Sequence, residues 1–222
     1  MGPTLAQLLP LALGVLASPL PIMAVVVLLL GERARATGAA FVAGWLVGLV
    51  AVGLVGVLIL NETSVFGSQG SGPAVRSLKA ILGAALLVLA ALQWRGRPRE
   101  GEEGESPTWM STLATFTPTK SFGLGATFAA IKPKNLVLTL AAATTISESG
   151  MDIGPELAAL VAYVLVASVG VAAPLVVYFS LGSRASVTLE RWGRWLTSNH
   201  SIVVAVVLLV IGLLLIRSAA FA

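Results

Sequence analysis

Residues 17–22 read Ala17-Ser18-Pro19-Leu20-Pro21-Ile22, and residues 131–136 read Ile131-Lys132-Pro133-Lys134-Asn135-Leu136. Both have the form apolar, polar, Pro, X, Pro or Asn, apolar, and each sits in the middle of a long apolar run. Proline inside a helix removes a backbone donor and collides with the carbonyl four residues earlier. It also pushes the preceding residue out of the α region. The two hexads therefore predict two interrupted helices, with break points at Ser18 and Lys132. Pro133 should free the carbonyl of Ala129, and Ser18 is placed to cap the half-helix that Pro19 and Pro21 open.

The runs around these hexads are two of six apolar segments: 5–30, 37–60, 75–94, 121–146, 156–181 and 201–216. About 20 apolar residues cross a bilayer core, and the shortest segment still reaches about 24 Å as a helix. The composition agrees, at 57% hydrophobic and 11% charged with a mean hydropathy of +0.94, where a soluble domain carries about 25% charged residues. The alternation of a membrane barrel is absent. The expected fold class is all-α: a polytopic membrane protein of six transmembrane helices. No Lys or Arg precedes Glu32, and the first apolar stretch is too long for a signal-peptide core, so it reads as a retained helix. The chain has no cysteine, which excludes disulfides, thiolate metal sites, iron–sulfur clusters and thiol relays.

Basic residues give the orientation. The first, third and fifth connections carry Arg33, Arg35, Arg95, Arg97, Arg99, Lys120, Arg184, Arg191 and Arg194, against Arg76, Lys79 and Arg217 on the other side. That bias makes the odd connections cytoplasmic and turns both termini outward. The first and fourth segments then run in opposite directions through the membrane. With their matched hexads, they divide the chain into two inverted three-helix repeats, 1–94 and 121–222, joined by a cytoplasmic linker, 95–120. The pI near 10.0 reflects these basic loops and implies no nucleic-acid partner.

Within the linker, residues 96–107 are charged, Gly-rich and Pro-containing, and read as flexible. The acidic cluster there (Glu100, Glu102, Glu103, Glu105) reads as solvated and not as a cation site; no metal or other cofactor is expected. In the fifth connection Leu189, Trp192, Trp195 and Leu196 share one helical face beside Arg191 and Arg194, as in an interfacial amphipathic helix. His200, the only histidine, opens the sixth segment as a structural residue.

The candidate site is the pair of breaks: Ser18, Pro19, Pro21, Lys132, Pro133, Lys134 and Asn135. Carriers built from inverted repeats bind substrate at such breaks near the midplane. A charge at the bilayer centre costs about 2.5–3.5 kcal/mol and marks function. Lys132 and Lys134 lie around a dozen residues from either end of their segment, about 18 Å, too deep for snorkelling. No Asp or Glu occupies the interior of any of the six segments. Either these amines are neutral, or their counter-charge is a substrate phosphate, sulfate or carboxylate, aided by the N-terminal ends of the half-helices. Asn135 would add a neutral hydrogen bond.

Ser18-Pro19-Leu20-Pro21-Ile22, the Gly44-Trp45 opening of the second helix and Lys132-Pro133-Lys134-Asn135-Leu136 together resemble the GAP family. These are the glycopeptidolipid-addressing and sulfolipid-addressing proteins, within the LysE superfamily of exporters. The likeness spans nearly the whole chain. It implies a multi-pass protein of the bacterial inner membrane that exports or flips an anionic lipid or glycolipid toward the envelope. The expected partners are membrane lipids and that substrate, in a homodimer or a larger lipid export machine. Alternatives are a LysE-type exporter of amino acids or other small solutes, and a non-transporting accessory. Two uncompensated lysines disfavour a cation as cargo. An enzyme is the weakest reading, since no DxD, nucleophile–base pair or metal cluster sits near a membrane surface. Gly44, Gly48, Gly53 and Gly56, with Ser168, Gly170 and Pro174, are read as sites of close helix packing.

Overall fold

The computed structural model describes residues 2–62, 73–95, 112–113, 115–182 and 185–220. Among these residues there is no strand, and eight long helices carry the fold. They are α1 (Gly2–Leu16), α2 (Pro19–Leu29), α3 (Ala34–Glu62), α4 (Pro73–Arg95), α5 (Pro118–Ala130), α6 (Pro133–Ser147), α7 (Ile153–Leu181) and α8 (Ala185–Ala220). Four of them, α2, α4, α5 and α6, open on proline. A helix N-terminus leaves its first N–H groups unpaired, so a residue with no N–H and a helical φ fits there.

Each apolar segment of the sequence falls on these helices, the first on α1 with α2 and the fourth on α5 with α6. Ala34–Asn61 and Ile153–Leu181 are each long and apolar enough to cross a membrane. The α1–α2 pair, bent by 54° at its break, counts as a third crossing if it is one span. Shorter apolar stretches lie in α4 (Ala80–Leu92) and α8 (Leu208–Arg217). Large apolar side chains cover the outside of the bundle, among them Ile81, Val161, Leu165 and Val176. Water would penalise so much contiguous apolar surface. This is a membrane protein.

Glycines set how closely the helices approach. α3 packs along α5, and a Cβ added at Gly44 would lie 2.0 Å from the Phe122 carbonyl oxygen, one at Gly125 2.2 Å from that of Phe41. Gly48 meets Ala126, Gly53 meets Leu160 and Gly56 meets Ala143, so the expectation of close packing along α3 holds. On α7, Gly170 lies against the Leu16 carbonyl at the end of α1. α4 packs along α8, where Gly83 and Gly212 face each other across the contact.

The fifth connection differs from expectation. Residues 185–200 are not a separate interfacial helix but the first part of α8, which runs unbroken for 36 residues. No proline interrupts this stretch, so nothing stops the helix. At about 54 Å it outreaches a hydrocarbon core of about 30 Å. Nor is its expected face uniform, since Leu189 is fully buried while Trp192 is exposed. The side chains of Arg194, Trp195, Leu196 and His200 lie outside the described residues, as do residues 96–107 with their acidic cluster.

Candidate functional site

Both predicted breaks are present and meet in the bundle interior. α1 ends at Leu16 and α2 starts at Pro19, with Ser18 in extended geometry between them (φ −112°, ψ 91°). α5 ends at Ala130 and α6 starts at Pro133, with Lys132 extended (φ −62°, ψ 120°). The Ser18 hydroxyl donates to Asn135 Oδ1 at 3.1 Å, 117 residues away in the chain. Asn135 is fully buried, and its Nδ2 donates to the Phe128 carbonyl at 3.0 Å. One amide therefore ties the first break to the second and covers a carbonyl that the second leaves free.

One expectation needs correction here. Ser18 holds the N-cap position but its side chain makes no capping bond. Pro21 removes the N3 donor that a capping hydroxyl would take, and the hydroxyl turns to Asn135 instead. The freed carbonyl that the structure shows covered belongs to Phe128, one residue before Ala129. α5 closes with the Ile131 N–H on the Thr127 carbonyl, and α6 opens with the Leu136 N–H on that of Lys132. Residues 128–131 lie between those two acceptors, Ala129 among them as expected, and the Asn135 side chain covers Phe128.

Lys134 has a compensation that residue types alone do not reveal. Its ammonium donates to the Gly14 carbonyl at 2.7 Å and to the Ala17 carbonyl at 2.8 Å. These are acceptors orphaned by the first break, because the Ser18 N–H bonds Leu16 and Pro21 has no N–H. The C-terminal end of a helix carries about half a negative charge, so α1 itself supplies part of the missing counter-charge. The choice between a neutral amine and an external anion was too narrow for this residue. α6 reaches the carbonyl closely because Gly14 has no side chain; a Cβ there would lie 2.9 Å from Leu138. Lys134 is a buried latch between the two broken helices.

Lys132 is placed differently. It is half-buried, its amine lies 5.9 Å from the Phe128 ring centroid, and it makes no hydrogen bond among the described residues. Its neighbour Ile131 is 68% exposed, and Leu20 at the other break is 40% exposed. Both breaks thus reach the outer surface of the bundle.

α6 carries the polar line further. Thr139, one turn beyond Asn135, shares a 3.1 Å hydrogen bond with the Tyr163 hydroxyl of α7, and both are buried. The i to i+4 spacing from Asn135 was the available signal for Thr139; it was missed in a run of apolar residues. Also missed was a second polar cluster at the far ends of α3 and α6. There Asn61 Nδ2 donates to Glu156 Oε2 at 2.8 Å, and the Ser147 hydroxyl donates to Asn61 Oδ1. Glu156 opens its apolar segment and reads as a surface residue, yet it is buried. Two further polar groups, Trp45 Nε1 and Ser168 Oγ, are buried without a hydrogen-bond partner among the described residues.

The family comparison accords with the motifs that carry these breaks. A family described as Sap, sulfolipid-1-addressing protein, matches residues 8–220. The chain belongs to that family. Its match covers both breaks, the first apolar segment from residue 8, the other five whole and the Gly44-Trp45 pair, and agrees with the GAP-family resemblance. Comparison with curated proteins and with solved structures gives no match.

Proposed function

We propose that the protein is a transporter that moves an anionic lipid or lipid-linked glycan from the inner to the outer leaflet of a bacterial inner membrane. The paired breaks are the binding site. Lys132 meets the anionic headgroup, while Lys134, Ser18 and Asn135 hold the broken helices in register. The observation that carries this reading is the position of Lys132. An unbonded amine beside an exposed Ile131 at a helix break is reachable sideways from the bilayer, as a lipid with its acyl chains in the membrane requires. An amino acid would instead need a site closed to lipid. Membership of a family named for addressing a sulfolipid supports an anionic amphiphile as cargo.

The reading takes the chain as six spans in two inverted repeats, with both termini outside. The packing supports it. Exchanging α1–α4 for α5–α8 carries the α3–α5 contact onto α7–α1, α2–α7 onto α6–α3 and α4–α6 onto α8–α2. The α4–α8 contact maps onto itself, with Gly83 opposite Gly212. No covalent chemistry is assigned to the protein.

The test is a deletion strain whose lipids are measured in surface and total extracts. The proposal expects one anionic lipid class to fall at the surface and stay or accumulate in the total. Unchanged surface lipids with a retained small solute would overturn it.

A further inference from the structure

A cavity of about 410 Å³ opens at the end of the bundle where α2 runs into α3 and α7 stops. Leu30, Arg35, Tyr178, Phe179 and Gly182 are among the residues that line it. Its volume is in the range of small-molecule sites, and its lining is as polar as it is apolar. Arg35 and Tyr178 are the lining residues with polar side chains. Among the described residues no carboxylate lines the cavity. Gly182, at φ +53°, takes a backbone conformation that favours glycine and caps the end of α7. Leu30 and Phe179 are exposed at the rim, 44% and 57%, and offer apolar surface on the bilayer side.

We infer that this cavity is the loading site for the anionic headgroup of a membrane lipid, a phosphate or sulfate ester held by Arg35 and Tyr178 while its acyl chains rest outside on Leu30 and Phe179. The inference rests on the proposed transport reading for its direction, since the basic first and fifth connections put this end at the cytoplasmic face. Geometry connects it to the breaks. α2 spans 11 residues from Pro19 to the cavity, roughly 16 Å, about half a hydrocarbon core. α2 and α7 pack along each other over that distance. A headgroup taken up at Arg35 is therefore one half-helix from the break level. Arginine suits this role because its planar fork pairs with two oxygens of a phosphate or sulfate at once.

The full-length protein in phosphatidylcholine nanodiscs, doped with phosphatidylglycerol carrying a photoactivatable group beside the headgroup, tests the inference. Labelled peptides are mapped by mass spectrometry. The expected result is labelling concentrated at 29–35 and 178–182, cut roughly tenfold or more by Arg35→Gln, less by Arg35→Lys and measurably by Tyr178→Phe. Arg35 is exposed, so Arg35→Gln should fold; an unchanged melting temperature confirms it. Labelling that is equal in Arg35→Gln, or equal with a matching phosphatidylcholine probe, overturns the inference. Displacement of the lipid label by inorganic phosphate alone at low millimolar concentration would assign the cavity to a free anion and overturn the lipid source. Lys132→Met separates this from the transport reading: it should keep the cavity labelling while losing transfer. Wild-type transfer by that variant would end the role given to Lys132, and transfer by the unaltered protein no faster than in protein-free vesicles would end the transport reading; either leaves the labelling result standing.

Discussion

Replacing Lys134 by Met should leave the protein less stable than replacing Lys132 by Met does. Lys134→Met removes the two bonds to Gly14 and Ala17, at 2.7 and 2.8 Å, and leaves the first carbonyl buried and the second part-buried without a partner. A polar contact between membrane helices contributes about 0.6 kcal/mol on average and up to about 1.7. A charged donor roughly doubles a hydrogen bond, so the pair contributes about 2.5–7 kcal/mol. Against this stands relief of the cost of placing a charge in the bilayer, about 2.5–3.5 kcal/mol. Because both variants remove a lysine at nearly the same depth, that relief largely cancels between them. Lys134→Met should therefore be less stable than Lys132→Met by about 2.5 kcal/mol or more, nearly two decades in the unfolding equilibrium. Reversible unfolding in bicelles, followed by steric trapping, measures this difference. Equal stabilities, or a more stable Lys134→Met, would refute the latch.

Three more outcomes follow from the packing and the sequence. Gly44→Ala puts a methyl 2.0 Å from the Phe122 carbonyl oxygen and should cost about 1–3 kcal/mol by overpacking, whereas Gly123→Ala meets nothing within 4 Å and should be neutral; thermal melts of the two in detergent check this. A double-mutant cycle of Ser18→Ala and Asn135→Leu should give a coupling of about 0.6–1.7 kcal/mol, and a coupling near zero would mean that the 3.1 Å bond between the breaks adds nothing. Single cysteines placed in this cysteine-free chain should label from outside at residues 3 and 220 and from the cytoplasm at residue 100. The reverse pattern would invert the topology.

The helices and their interruptions were legible because their signals are local. Apolar runs and Pro19, Pro21 and Pro133 act on backbone within a few residues of themselves, and the glycines of α3 announced a close contact. The partner of Lys134 was not legible. It is main chain, and a backbone carbonyl carries no mark in residue identity, so the residue types show no acidic partner and leave a substrate anion as the apparent counter-charge. The Asn61–Ser147–Glu156 cluster was hidden for another reason. Its members are 86 and 95 residues apart, and only the fold brings them together. The unbroken α8 was missed because a change from amphipathic to apolar character was read as a boundary, although no proline or loop chemistry accompanied it.

Transfer of an anionic lipid between leaflets of proteoliposomes tests the central claim most directly. A negative headgroup leaving a negative interior is driven by about 2.3 kcal/mol per charge per 100 mV. With the purified protein and an imposed potential, fluorescent phosphatidylglycerol should reach the far leaflet faster than in protein-free vesicles. The rate should fall when the potential is clamped to zero and should vanish in Lys132→Met, with phosphatidylcholine hardly moved throughout. Transfer no faster than in protein-free vesicles, or equally fast in Lys132→Met, would contradict the account.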